Sequence, residues 1–319
     1  QTHAKEINFW KFVQYKAFDQ WRLLKKYAND AGIEIIGDMP IYVAFDSSDA
    51  WSHSELFQFD SQKQPKLVAG VPPDNFSADG QLWGNPLYNW SYMKETGYEW
   101  WIKRVAADTK LYDIVRIDHF IGFVNYYAVP YGQTTAKNGT WLKGPGLELF
   151  DAIKQKLGQP KIIAEDLGAI TDEVRAVIKA TNFPSMKLTQ FAFDPREVSD
   201  YLPFNYEKNT IVYTGTHDNE TTKTWFDHLS KESLDFCLDF INDHNPETKI
   251  TSFIKMTLSS VSNQAVIPMQ DYLELGEHAR MNIPSTVGKN WRWRLNPNYY
   301  SKALVTKIAH LTILSGRAR

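Results

Sequence analysis

Arg116 and Asp118 stand two apart in the run Ile114-Val115-Arg116-Ile117-Asp118, and a strand there sends both side chains to one face. A guanidinium beside a carboxylate favours the ionised acid, which suits a nucleophile. Glu165 closes a second apolar run, Lys161-Ile162-Ile163-Ala164-Glu165, with no basic neighbour on its face. Partial burial would raise its pKa, as a general acid requires. Two carboxyls in unlike environments are the parts needed to cleave a glycosidic bond with retention: one attacks, the other protonates and later deprotonates. Asp218, which follows a third run at Thr210–Gly215, could hold sugar hydroxyls as the ring flattens. Asp38 after Ile33–Gly37, His217 beside Asp218, and Gln270 with Asp271 after Gln264–Pro268 extend the pattern. In a parallel barrel the C-terminal strand ends form one face, and active sites sit there. A single Asp after a strand is most often a cap or loop residue, and Arg116–Asp118 alone could be a structural ion pair. The recurrence across five strand ends is the signal.

Other chemistries find less support. His119, His217, Asp38, Asp118, Glu165 and Asp218 could line a divalent-cation site, but the chain has no His-x-His or His-Glu-x-x-His pair. No Gly-x-Ser-x-Gly elbow supports a serine triad, and no Gly-rich loop follows a strand to cradle a dinucleotide or phosphate. A metal cluster and a nucleotide-binding open sheet are therefore disfavoured. The lone Cys237 excludes an internal disulfide or a multi-thiolate metal site and reads as packing.

The elements that must carry these residues follow from periodicity. Phe9, Val13, Ala17, Trp21, Leu24 and Ala28 mark one apolar face of an opening helix, stopped at Asn29-Asp30-Ala31-Gly32. Strands are expected at Ile33–Gly37, Ile114–Asp118, Lys161–Glu165, Met186–Phe193, Thr210–Gly215 and Gln264–Pro268. Helices are expected at Gly146–Leu157, Thr171–Thr181, Lys231–Asn242, Pro246–Asn263 and Asn298–Leu314. Apolar strands alternating with helices specify a parallel sheet covered by helices, and without a nucleotide loop the (β/α)8 barrel is favoured over an open sheet. The 75 residues of 39–113 are too long for a simple crossover and read as a substrate-binding insertion. Trp83 and its neighbours could stack on sugars there, while Gln81, Asn85 and Asn89 could bond vicinal hydroxyls. Core packing is the competing reading for Trp83. The 35 basic and 37 acidic side chains leave a net charge of −2, which offers nothing to nucleic acid or anionic lipid. No apolar run suggests a membrane span, and no apolar signal core opens the chain, so a cytoplasmic setting is expected.

Six segments, in order, give the sequence a specific likeness: Gly37-Asp38-Met39-Pro40-Ile41-Tyr42-Val43, Gln81-Leu82-Trp83-Gly84-Asn85-Pro86-Leu87-Tyr88, Arg116-Ile117-Asp118-His119-Phe120, Ala164-Glu165-Asp166-Leu167-Gly168, Thr216-His217-Asp218-Asn219-Glu220-Thr221 and Ala279-Arg280-Met281-Asn282-Ile283-Pro284. The chain closely resembles the 4-alpha-glucanotransferases, or amylomaltases, of glycoside hydrolase family 77. The resemblance implies a (β/α)8 TIM barrel of the α-amylase type. It implies that Asp118 is the nucleophile, Glu165 the acid/base and Asp218 the transition-state carboxylate. Arg116 would orient Asp118, His217 would bind the reacting sugar with Asp218, and Asp38 would line the same subsite. Trp83 and Asn85 would belong to a mobile loop over bound glucan, and Asp74 and Asn282 would complete the substrate-binding set. The implied reaction moves an α-1,4-glucan segment from maltooligosaccharide or starch to a sugar 4-hydroxyl through a covalent glucosyl-enzyme. No metal or cofactor is implied. The alternatives are an α-glucan hydrolase on the same barrel or an inactive glucan-binding fragment.

The chain departs from the family pattern at Ile121, where an arginine is usual, at Asn75, where a tyrosine is usual, and at Ser285, where a glycine is usual. These bear on acceptor preference, not reaction type. Family members carry two barrel strands and an early insertion ahead of the point where this chain starts. Residues 1–319 are thus expected to be the C-terminal part of a catalytic barrel lacking its first two strands, and a preceding segment is expected in the full-length protein.

Overall fold

The opening periodicity folds as one helix, α1 (Ala4–Asp30), in a computed structural model that describes residues 3–73, 77–168 and 170–318. The apolar face anticipated for it is not buried: Phe9, Val13 and Leu24 are 57%, 36% and 54% exposed, and no α1 side chain is fully covered. Periodicity reports amphipathicity and says nothing about a partner. What holds α1 lies near its C-terminus. Trp21 Nε1–H donates to the Leu111 carbonyl at 2.9 Å, its ring meets Tyr112 edge-on, and Lys25 pairs with Asp113 at 3.2 Å.

The described residues divide into two compact units, Gln1–Phe183 and Pro184–Arg319. In the first unit α1 leads to β1 (Ile36–Pro40), α2 (Ser48–Ser52), β2 (Leu67–Val71), β3 (Gln81–Pro86), α3 (Trp90–Glu95), α4 (Glu99–Leu111) and β4 (Ile114–Asp118). Then come β5 (Asn125–Pro130), β6 (Thr140–Lys143), α5 (Leu147–Leu157), β7 (Ile162–Ala164) and α6 (Asp172–Thr181). β1, β4 and β7 pair in that order, all parallel, which is the expected barrel-type alternation. A separate antiparallel sheet, ordered β3-β2-β5-β6, was not anticipated. It joins two strands from 39–113 to two that follow β4.

The aromatic residues of 39–113 mostly build a core and do not line a surface. Phe57, Tyr88, Tyr98 and Trp101 are buried with Phe120, Phe123 and Phe150, while Trp51 alone of the tryptophans in that stretch is almost fully exposed. α4 forms because Trp101 and Val105, one turn apart, both enter this core. From the same helix Arg104 lies over the Trp101 ring and donates to the carbonyls of Pro40 (2.5 Å) and Ile41 (3.2 Å), fixing the chain as it leaves β1. Gly37 is required for a steric reason: a Cβ there would lie 2.0 Å from the Tyr112 ring. Gly37→Ala is expected to lose about 1–3 kcal/mol through overpacking. The check is a lower melting temperature in circular dichroism.

The second unit contains β8 (Ser185–Leu188), β9 (Thr210–Tyr213), α7 (Thr222–His228), α8 (Lys231–Ile241), α9 (Lys249–Leu258), β10 (Gln264–Val266), α10 (Met269–Tyr272) and α11 (Lys302–Leu314). β8, β9 and β10 are parallel neighbours. Their helices enclose Phe193, Phe226, Phe253, Ile254 and Cys237. Cys237 is fully buried, which pushes its thiol pKa up and leaves it an inert packing group. α9 is shorter than expected because the Asp243 carboxylate accepts from the Asn245 amide and the Thr248 and Ser252 hydroxyls, folding the preceding residues into a turn. Among the described residues no helix is long and apolar enough to cross a membrane.

Candidate active site

The parallel register of the first unit aligns the acids. Asp38 is opposite Arg116, Pro40 is opposite Asp118, and Ile117 is opposite Ala164, so Glu165 leaves β7 level with the end of β4. Side chains alternate along β1: Gly37 and Met39 face the core, and Asp38 points the other way. Asp38 sits in the middle of β1, not after its end as the apolar run Ile33–Gly37 suggested. The Asp113 carboxylate takes the Ile35 amide, which delays regular pairing to Ile36.

Arg116 is the centre of this cluster. Its Nη1 donates to Asp38 Oδ1 at 2.6 Å, and its Nη2 pairs with Asp118 Oδ1 at 2.8 Å. It is 6% exposed. Burial works against its charge, but Asp38, Asp118 and Glu165 more than offset that and hold the guanidinium's pKa above its ordinary value. Asp118 is thereby oriented by a fixed cation while its side chain stays 40% exposed.

Glu165 is 7% exposed. Its pKa is pushed up to about 8, by burial first and by the Asp118 charge second, against Arg116 and two backbone amides. Those amides fix its rotamer: Leu167 N–H donates to Oε1 at 2.9 Å and His119 N–H to Oε2 at 2.6 Å. The second bond depends on His119 adopting a left-handed conformation (φ 51°), after which the 3-10 turn Phe120–Phe123 is buried throughout. Sequence reasoning overlooked this role for His119, because a main-chain donor has no side-chain signature. The His119 ring is buried beside the half-buried Trp83, centroid to centroid 4.7 Å, and burial pushes its pKa down to about 4.

The remaining candidates of the first unit are engaged locally. Trp83 Nε1 donates to Gln81 Oε1, and Asn85 Nδ2 donates to the Val43 carbonyl at 2.9 Å. Asn89 caps α3 and is not an exposed polar group. Asp74 lies outside the described residues.

In the second unit His217, Asp218 and Asn282 come together. Asn282 Nδ2 donates to Asp218 Oδ1 at 2.5 Å, His217 Nε2 lies 3.3 Å from Asp218 Oδ2, and the Asn282 amide donates to the His217 carbonyl at 3.0 Å. A cavity of about 160 Å³ opens beside His217, lined also by Thr216, Glu220, Arg280 and Met281. Gln270 and Asp271 line the same cavity, both largely buried, and Gln270 Nε2 donates to the Ala279 carbonyl at 3.2 Å. Asp271 is buried and accepts from the Thr214 hydroxyl and from the Thr222 amide and hydroxyl, bracing β9 against the start of α7. Among the described residues no three His, Cys, Asp or Glu side chains group so as to hold a metal ion.

Parallel strands alternating with helices, with paired acids at neighbouring strand ends, define a (β/α)8-type protein with an acidic site. The sequence profile of the 4-alpha-glucanotransferase family matches residues 1–300, and the chain belongs to that family, glycoside hydrolase family 77. It is 49% identical over 315 residues to a 4-alpha-glucanotransferase of Clostridium butyricum, covering 98% of this chain and 65% of that protein. It is 47% identical to one of Streptococcus pneumoniae, covering 98% of this chain and 62% of the relative. Among solved structures, an amylomaltase of Streptococcus agalactiae in complex with acarbose superposes with a TM-score of 0.97 at 42% identity, over all of this chain and 65% of the other. The chain thus spans just under two thirds of the length of these relatives.

Proposed function

We propose that this chain carries the catalytic chemistry of a retaining 4-alpha-glucanotransferase. The observation that carries the reading is Glu165, a carboxyl raised to about 8 on the strand next to an Arg116-paired Asp118. Neighbouring parallel strands lie about 4.8 Å apart, which suits the roughly 5–5.5 Å carboxyl spacing of retaining enzymes. Asp118 attacks the anomeric carbon of an α-1,4-linked donor while Glu165 gives its proton to the departing 4-oxygen. The product is a covalent β-glucosyl ester on Asp118. Glu165, now ionised, takes the proton of an incoming sugar 4-hydroxyl, which displaces Asp118 and restores the α linkage. Asp218, held by Asn282 and His217, stabilises the flattened ring through its hydroxyls. Asp38 and Arg116 line the donor site, and Asp74, Trp83 and Asn85 belong to the glucan-binding stretch.

Likeness to an amylomaltase solved with acarbose supports a glucan ligand, and family membership favours a sugar over water as acceptor. The buried lone thiol fits a reducing cytoplasm. The test is incubation of the full-length protein with maltotriose, followed by chromatography. Glucose with a ladder of longer maltooligosaccharides is expected. Glucose and maltose with nothing longer than the substrate would overturn transfer, and unconsumed maltotriose would overturn the enzyme reading altogether.

A further inference from the structure

We infer that Arg280 is a positioning residue for Asp218, acting through the backbone of the two segments that meet at that carboxylate. The inference rests on the glucanotransferase reading above. Arg280 touches no candidate reacting atom. Its Nη2 donates to the carbonyl of Asp218 at 2.9 Å, and its Nε donates to the carbonyl of Asn282 at 3.0 Å. One planar guanidinium therefore ties the loop after β9 to the loop that follows α10. The carboxylate of Asp218 receives the Asn282 amide at 2.5 Å across that same junction. The acidic neighbours of Arg280, Glu220 at 3.7 Å and Glu277 at 3.9 Å, are too distant to direct it by hydrogen bonding. Its short contacts are both to main-chain oxygens of site-bearing residues.

The geometry suits arginine alone. Donors on Nε and Nη2 point along fixed, divergent directions in one plane, and a lysine ammonium can satisfy only one of the two carbonyls at the end of a flexible stem. The Arg280 side chain is 15% exposed, so the tie runs through a largely buried junction. Losing the tie lets the Asn282 segment drift relative to Asp218, while every side chain proposed to touch sugar remains. The cost should fall on the transition state, where a displacement near 1 Å is worth about 10²-fold in rate.

The experiment compares wild type, Arg280→Lys, Arg280→Met, Asn282→Ala and the Arg280→Lys/Asn282→Ala double variant in the maltotriose transfer assay. For Arg280→Met we expect kcat lower by about 10²-fold with KM within about threefold, and for Arg280→Lys a smaller loss of the same form. The double variant should be little worse than Asn282→Ala alone, since both changes loosen one contact. Should Arg280→Met fail to fold, Arg280→Lys decides by the same two numbers and by the double variant. A rise in KM at unchanged kcat, wild-type kinetics, or fully multiplicative losses in the double variant would each overturn the inference. Wild type that makes no longer oligosaccharides would instead sink the underlying transferase reading.

Discussion

Asp118→Asn is expected to abolish turnover while glucan binding survives. The asparagine amide keeps the size and shape of the carboxyl but is too weak a nucleophile to form the glucosyl ester, so kcat should fall on the order of 10⁴-fold or more. Folding should tolerate the change. Arg116 retains Asp38 at 2.6 Å, so its buried charge keeps a carboxylate partner. Two measurements separate this outcome from general damage. Calorimetric titration with maltoheptaose should give an affinity within about threefold of wild type. Intact mass spectrometry after rapid quenching should show a glucosyl adduct on wild type and none on the variant. A further signature follows from the electrostatics. The Asp118 charge is the second cause of the raised Glu165 pKa, so its removal should lower the Glu165 titration, read by carbon NMR of the labelled carboxyl. Near-native turnover in Asp118→Asn would rule out its role as nucleophile.

The residues that carry this prediction were legible because the signals that place them are local. Arg116 and Asp118 share a strand parity, and Ile114–Asp118 and Ile162–Ala164 are short apolar runs closed by an acid. Asp38 was displaced because apolar content marks a strand's neighbourhood, while hydrogen bonds fix its register. The Asp113 carboxylate and the Gly37–Tyr112 contact set that register, and both partners are remote in sequence. The antiparallel sheet was invisible for a related reason. Its β2 strand pairs with β5, on the far side of β4, and its segments are rich in Trp, Asn, Gly and Pro, which resemble loops.

The same distinction divides the site. Side-chain chemistry can be read from residue type, whereas the main-chain work of the His119 amide and the Arg280 guanidinium depends on where carbonyls and amides fall in space. Aromatic content misled in one respect. A Trp- and Tyr-rich stretch suggested stacking faces, but Tyr88 and Trp101 are interior rings of a core that secures β1 from behind.

Glu165→Gln should both slow transfer and change its pH dependence. In the wild type the acid must hold its proton when the donor binds, so kcat/KM for maltotriose should fall as pH rises through about 8, the value that burial and Asp118 impose on it. Glutamine has no proton to give, and transfer from maltotriose should drop by about 10²–10⁴-fold. With α-maltosyl fluoride, whose leaving group needs little protonation, the first step should persist, lose its alkaline limb near 8, and leave a glycosyl-enzyme that accumulates because no base activates the acceptor. Stability should carry the same mark. From the ordinary value of 4.5 up to about 8 the native state retains a proton that the unfolded chain has released. The unfolded state therefore binds fewer protons, and wild-type stability falls with rising pH across that window by up to about 1.4 kcal/mol per unit. Below 4.5 and above 8 this contribution is flat. Glutamine cannot ionise, so the melting-temperature difference of Glu165→Gln over wild type should widen from pH 4.5 to 8 and then level off. A difference independent of pH, together with an alkaline limb unchanged in the variant, would show that Glu165 titrates as an ordinary exposed carboxylate and that the proton donor is another group.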